Sequence, residues 1–287
     1  MKGELISFKL KERVRKEYGG NIMDWAFIDE QANQWVLEAG DRIKSSFDQT
    51  LTIQTKSNPN DLVTDIDKEI EQFFIQKIRT AFPDHKIMGE EGFGDQLEHL
   101  EGIVWIIDPI DGTMNFIHQQ RNFAISLAVY ENGTGKIGMI YDVAHGELYH
   151  AIKGKGAFMN SKPIPKLKDT KVTESIIALN ATWLMENRRI DHKLLIPLAR
   201  EARGTRSYGT AALELVYVAT GRVNAYISMR LSPWDIAAGT VIIEELGGVV
   251  TNLRGEKLDF LHSDSVFTAN PRLHQTILSD YLKNGKW

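Results

Sequence analysis

"WIIDPIDGTMNF", residues 105–116, ends an apolar run in two aspartates three positions apart, Asp108 and Asp111, held between Pro109 and Gly112 with Thr113 following. Pro109 removes a donor from any strand ladder and Gly112 permits a sharp turn. Both carboxylates and the Ile110 carbonyl can therefore be aimed the same way, so that three hard oxygens converge. Taken alone, the stretch reads as a turn more readily than as a ligand site, because Asp-Pro and Asp-Gly are common turn formers.

Working outward, three more stretches place carboxylates at element ends. "GEEG" (89–92) puts Glu90 and Glu91 after the short strand "HKIMG". If that strand pairs with the one ending at Asp108, the two ends lie about 5 Å apart. Thr64-x-x-Asp67 fits a capping box, and Ser232-Pro233-Trp234-Asp235 reads as N-cap, N1 proline and N3 acid. Each has a purely structural reading, but all four sit where folds present ligands and no single fold-level need explains the set. Clustered carboxylates repel and raise at least one pKa unless a cation lies among them. Oxygen-only ligation selects magnesium, calcium or manganese over softer metals.

Composition narrows the alternatives. The 287 residues carry a formal net charge of −4 and are 43% hydrophobic, enough for a substantial core and with no global basic field to attract nucleic acid or an anionic membrane. The absence of cysteine excludes disulfides, thiolate catalysis, iron–sulfur clusters and cysteine-rich zinc sites. None of the eight histidines has H-E-x-x-H spacing, and His118 reads as a polar or packing residue. No apolar run reaches the roughly 18 residues of a membrane span. The charged N-terminus lacks a secretory apolar core, so a cytoplasmic location is expected. Residues 1–22 read either as a charged extension or as a displaced start, with helical periodicity beginning after Met23.

From Asp24 apolar residues recur every three to four positions through Phe47, predicting an amphipathic helix. A second helix is predicted with Ile66, Ile70, Phe73, Phe74 and Ile78 buried. Residues 122–160 read as a strand meander, and "GTGKIG" (133–138) inside it is a hairpin rather than a dinucleotide loop, because no helix follows. No ATPase-type phosphate loop is present. After residues 161–172 the pattern changes to strand "SIIALN", helices "HKLLIPLAREA" and "AALELVYVATG", strand "VNAYISM", helix "WDIAAGTVIIEELG", strand "SVFTAN" and a closing helix. The expected divisions are 1–22, 23–166 and 167–287, with mixed layers rather than a doubly wound parallel sheet.

"DLVTDIDKEIE" (61–71), "GEE" (89–91), "WIIDPIDGTMNF" (105–116) and "PWDIAAG" (233–239), in that order, resemble the motifs of the inositol monophosphatase family, within the fructose-1,6-bisphosphatase-like superfamily, and the chain resembles a bacterial member. The resemblance implies an α+β fold, a five-layered αβαβα sandwich, forming a homodimer with a phosphomonoesterase site using two or three magnesium ions. It implies that Glu90, Asp108 and the Ile110 carbonyl hold one ion, and that Asp108, Asp111 and Asp235 hold a second. It further implies that Gly112 and Thr113 offer backbone N–H groups to the phosphate. Glu90 and Thr113, the latter oriented by Asp67, would position and deprotonate the attacking water, and water near Asp111 would protonate the leaving alkoxide. Lithium should inhibit at the second ion's site.

The substrate is less defined. "SYGTAAL" (207–213) resembles the segment that contacts inositol hydroxyls through Gly209, Thr210 and Ala211. Ser228 stands where animal-type members carry a glutamate, which leaves fructose 1,6-bisphosphate, NADP and other sugar phosphates open. Ile110 and Asn115 argue against a phosphoadenosine-phosphatase branch. A haloacid-dehalogenase-type site would space its aspartates by two. A non-catalytic role in transcription antitermination is the other alternative, with Arg203, Arg206, Arg222 and Arg230 as a partner face.

Overall fold

The structure, a computed structural model, describes residues 24–48, 51–55 and 62–283, so the stretch 1–22 lies outside the described residues. Helix α1 (Trp25–Ser45) buries Ile28, Ala32, Trp35, Val36, Ala39 and Ile43 along one stripe, and Asp24 caps it by accepting the Phe27 N–H at 3.0 Å. A short antiparallel pair, β1 (Ile53–Thr55) and β2 (Leu62–Thr64), leads into α2 (Asp65–Ala81). Three-residue strands are too short to show periodicity, and the sequence pattern does not reveal them.

One sheet follows: β3 (Lys86–Gly89), β4 (Ile103–Asp111), then the one-turn-and-more helix α3 (Thr113–Gln119), then β5 (Ala124–Glu131), β6 (Thr134–Asp142), β7 (Glu147–Ile152), β8 (Gly156–Met159) and β9 (Lys162–Pro163). These seven strands lie in chain order, β3 parallel to β4 and the rest antiparallel. The second sheet is built from β10 (Ile176–Leu179), β11 (Gly204–Arg206), β12 (Ala225–Leu231), β13 (Val249–Thr251) and β14 (Asp264–Ala269), in the order β11-β10-β12-β14-β13. Its helices are α4 (Leu195–Glu201), α5 (Ala211–Ala219), α6 (Pro233–Glu245) and α7 (Pro271–Thr276).

Side-chain alternation along the strands explains the layering. Ile103, Trp105 and Ile107 of β4 join the core formed with α1 and α2, while Val104 and Ile106 join the core formed with α5 and α6. Ala178, Tyr226 and Val266 of the second sheet face the same α5–α6 layer, whereas Ile177, Ile227 and Phe267 face α4 and α7. The result is an αβαβα sandwich. Both faces of β4 are covered and every one of its residues is buried, which is why it opens with the continuous apolar run Ile103–Ile107 before the two aspartates.

Helix α6 approaches the first sheet closely. A Cβ on Gly138 of β6 would stand 2.4 Å from the Ala238 carbonyl oxygen, and one on Gly239 would stand 2.4 Å from the Leu215 side chain of α5. Ser126 and Tyr130 of β5 donate hydroxyl hydrogen bonds to the carbonyls of Trp234 and Ala237, each at 3.0 Å. These contacts fix the height of α6 on the sheet, and with it the residue at its first turn, Asp235. Among the described residues, no helix is long and apolar enough to cross a membrane.

Candidate active site

The turn after β4 is where the carboxylates gather. The register of β4 against β5 shifts between Asp108 and Asp111, so the strand kinks there; the Asp108 Oδ1 accepts the Ile110 N–H at 3.0 Å. Gly112 follows with φ +90°, a left-handed conformation that relieves the turn and starts α3. A Cβ at Gly112 would approach the Asn122 carbonyl oxygen and the Thr210 side chain, both at 3.1 Å.

Three carboxylates from distant parts of the chain meet at this turn. Asp108, Asp111 and Asp235 each bring an oxygen within 4.8 Å of the others. Asp108 and Asp111 come from the end of β4. Asp235 comes from the first turn of α6, where its Oδ2 also accepts the Ser232 N–H at 2.7 Å. The expected pairing of "HKIMG" with the strand ending at Asp108 is present and parallel, Gly89 opposite Ile107, with the Glu90 N–H on the Ile107 carbonyl at 3.2 Å. Glu90 is thereby seated beside Asp108 and hydrogen-bonds its carboxyl.

Burial makes these charges expensive. Asp108 is pushed well above the usual carboxylate range, first by burial and then by the charges of Glu90, Asp111 and Asp235. Burial raises Asp111 to about 6, even though Thr210 and the Ala212 N–H both donate to it. Hard oxygens, crowded together, are the donor set that a hard divalent ion fits. The residues present therefore suit such a metal.

Asp67 serves two neighbours at once. Its Oδ2 accepts the Thr64 N–H at 2.8 Å, closing the capping box of α2, while its Oδ1 lies 3.1 Å from the Thr113 hydroxyl. The structural and functional expectations for Asp67 are thus compatible, one for each oxygen. The Thr113 hydroxyl also lies 3.0 Å from the Ile110 carbonyl, and its single proton serves one of the two acceptors at a time. Burial raises the Asp67 pKa, the donors opposing it.

The segment 207–211 lies against the same turn. Gly209, with φ +77°, and Thr210 pack on Gly112. The Thr210 hydroxyl donates to Asp111, while Ala211 opens α5. Ser228 is buried on β12.

Three polar residues support the site: the sequence does not single out Glu71 or Glu214, and Asn115 reads there only as arguing against a phosphoadenosine-phosphatase branch. Glu71 is fully buried and accepts the N–H groups of Glu91 and Phe93 at 2.7 and 2.9 Å, clamping the loop that carries Glu90. Asn115 donates to the carbonyls of Asn122 and Tyr208, each at 2.7 Å. Glu214 accepts the Tyr208 N–H at 2.7 Å. The only signal in the sequence is an acid on the buried stripe of a helix, at Glu71 in α2 and Glu214 in the apolar "AALELVYVA".

A five-layer sandwich with an oxygen-only carboxylate cluster, where strand ends of one sheet meet a helix start from the next layer, is the architecture of metal-assisted phosphomonoesterases. The chain belongs to the inositol monophosphatase family, whose model matches residues 24–285. It is 60% identical to the inositol-1-monophosphatase of Bacillus subtilis over 261 residues, covering 91% of this chain and 98% of the relative. A solved structure of SaIMPase-II with inositol monophosphate bound superposes with a TM-score of 0.80 at 41% identity, over 88% of this chain and 93% of that one. Another, of an IMPase/NADP phosphatase complexed with Mg2+ and phosphate, gives 0.81 at 32% identity, over 88% and 94%. The chain is accordingly a phosphoric monoester hydrolase.

Proposed function

We propose that this chain hydrolyses inositol 1-phosphate to inositol and phosphate, with magnesium as cofactor and water as nucleophile. The observation that carries the proposal is the convergence of Asp108, Asp111 and Asp235 within 4.8 Å, beside a hydroxyl held by a buried carboxylate. Glu90, Asp108 and the Ile110 carbonyl would hold one ion, and Asp108, Asp111 and Asp235 the second, between the halves 23–166 and 167–287. When bound, magnesium polarises the phosphate and lowers the pKa of water beside it. The residues do the rest. With its proton on Asp67, the Thr113 oxygen would accept a hydrogen bond from the attacking water, and Glu90 would take a proton from that water. The water oxygen bonds to phosphorus in line as the bond to the leaving alkoxide breaks, and no phosphoenzyme forms. The alkoxide would depart on the Asp111 side and take a proton from water beside Asp111. The amides of Gly112 and Thr113 hold the phosphate, and Gly209, Thr210 and Ala211 border the alcohol. The family resemblance also supports a cytoplasmic homodimer and inhibition by lithium.

A broader specificity is the second reading. Ser228 offers a neutral hydroxyl where an acceptor carboxylate would select a polyol, and a matched relative is an NADP phosphatase by name. Phosphate release from inositol 1-phosphate, fructose 1,6-bisphosphate and NADP, with and without magnesium and lithium, separates the two. Highest kcat/KM on inositol 1-phosphate, abolished without magnesium, is expected. Equal or higher kcat/KM on NADP or fructose 1,6-bisphosphate supports the broader reading.

A further inference from the structure

The turn Ser207–Thr210 joins β11 to α5 beside the carboxylate cluster, and its Ser207 and Gly209 are exposed. It has no regular secondary structure, so its shape depends on what grips its peptides. One grip comes from the first half of the molecule, through Asn115 on the Tyr208 carbonyl. The other is Glu214, one turn into α5 and 5% exposed. Its carboxylate accepts the N–H groups of Tyr208 and Gly209, and the hydroxyl of Tyr226 from β12. Tyr226 in turn hydrogen-bonds Ser228 on the same face of the strand. The Tyr208 ring packs edge-on against Tyr217, one turn further along α5.

A carboxylate this deeply buried is costly, and burial raises it to about 7. A neutral or apolar residue would pack the inner layer of a five-layer sandwich at lower cost. None of the proton-transfer or ligand roles above uses Glu214. What it does is hold two consecutive amides of the Gly209 turn and the hydroxyl chain Tyr226–Ser228.

We infer that Glu214 is a positioning residue that sets substrate discrimination by fixing the Tyr208–Gly209 turn and the Tyr226–Ser228 hydroxyls against the alcohol of the phosphate ester. The inference rests on the reading of Gly209–Ala211 as the alcohol-facing segment. It separates two properties that would otherwise fall together: attack on phosphorus, which belongs to the carboxylates and Thr113, and recognition of the polyol, which belongs to the turn.

The test uses Glu214→Leu and Glu214→Gln in the full chain with magnesium, assayed on inositol 1-phosphate and on p-nitrophenyl phosphate, an aryl ester with no polyol to recognise. Glu214→Leu should raise KM for inositol 1-phosphate about tenfold and change kcat/KM for the aryl ester less than twofold; Glu214→Gln, which keeps an acceptor, should recover most of the loss. Amide exchange at Tyr208 and Gly209 should quicken in Glu214→Leu at least tenfold whichever ester the enzyme prefers. Equal losses on both esters would assign Glu214 to the support of Asp111 and overturn the inference, as would no loss on either or unaltered exchange at both amides. A wild-type chain without phosphate release from any ester defeats the hydrolase reading, and exchange then decides the role of Glu214 in the turn by itself.

Discussion

Thr113 and Asp67 show how one side chain can satisfy folding and chemistry together. The Thr64–Asp67 box holds one carboxylate oxygen of Asp67, and the other faces the Thr113 hydroxyl. Asp67→Asn keeps the shape but weakens the acceptor, and Thr113→Ala removes the hydroxyl. Each should lower kcat about 100-fold, the scale of lost proton-transfer assistance. Steady-state kinetics at saturating magnesium check this, and an undiminished kcat in both would detach the pair from the reaction. Asp111 supplies a pH test. Burial holds it at about 6 in the fold, against about 3.9 for an unfolded aspartate. Below both values the two states are equally protonated. Between them the fold holds the extra proton, so metal-free stability falls as pH rises, and above 6 the whole cost stands. A bound cation offsets that cost. The magnesium-induced rise in Tm should therefore grow between about pH 5 and pH 7.5, as thermal unfolding scans with magnesium or with chelator would show; a pH-independent rise would contradict it.

At the scale of elements, α6 is the part whose placement the site depends on. Asp235 is in its first turn, and the helix is set on the sheet by Ser126, Tyr130 and the missing side chain of Gly138. Gly138→Ala places a methyl 2.4 Å from the Ala238 carbonyl oxygen, a backbone atom that moves only with the helix. We expect a stability loss of about 1–3 kcal/mol, typical of overpacking, together with weaker magnesium binding as Asp235 is displaced. Denaturant unfolding and calorimetric magnesium titration measure the two; unchanged values for both would show that α6 is not set by this contact. The ends of α2 and α6 were legible in the sequence because capping boxes are local patterns: Thr64–Asp67 and Ser232–Asp235 are three residues apart. The β1–β2 pair was not legible, because three residues cannot show an alternation. Glu71, Glu214 and the grip of Asn115 on Tyr208 were missed for a different reason, since each holds a backbone segment 20 or more residues away, or 6 away across a turn, that no local pattern announces.

At the scale of the whole molecule, the order of layers explains both the sequence and the site. Helices α5 and α6 lie between two sheets, so their residues are buried on nearly every side and read as apolar runs with little periodicity. Local reading recovers them as helices, but the sandwich itself came from the resemblance of four ordered motifs. The charge follows the same logic. With a net charge of −4 the molecule has no global field to draw a phosphate, and three acidic side chains, Asp108, Asp111 and Asp235, meet at the turn after β4. Divalent ions would turn that cluster from a repulsive site for phosphate into an attractive one. The most direct measurement is anomalous scattering from a crystal soaked in Mn2+. One peak bordered by Asp108, Asp111 and Asp235 and another bordered by Glu90, Asp108 and the Ile110 carbonyl are predicted; an active, Mn2+-loaded crystal with no peak in contact with Asp108 would contradict the account.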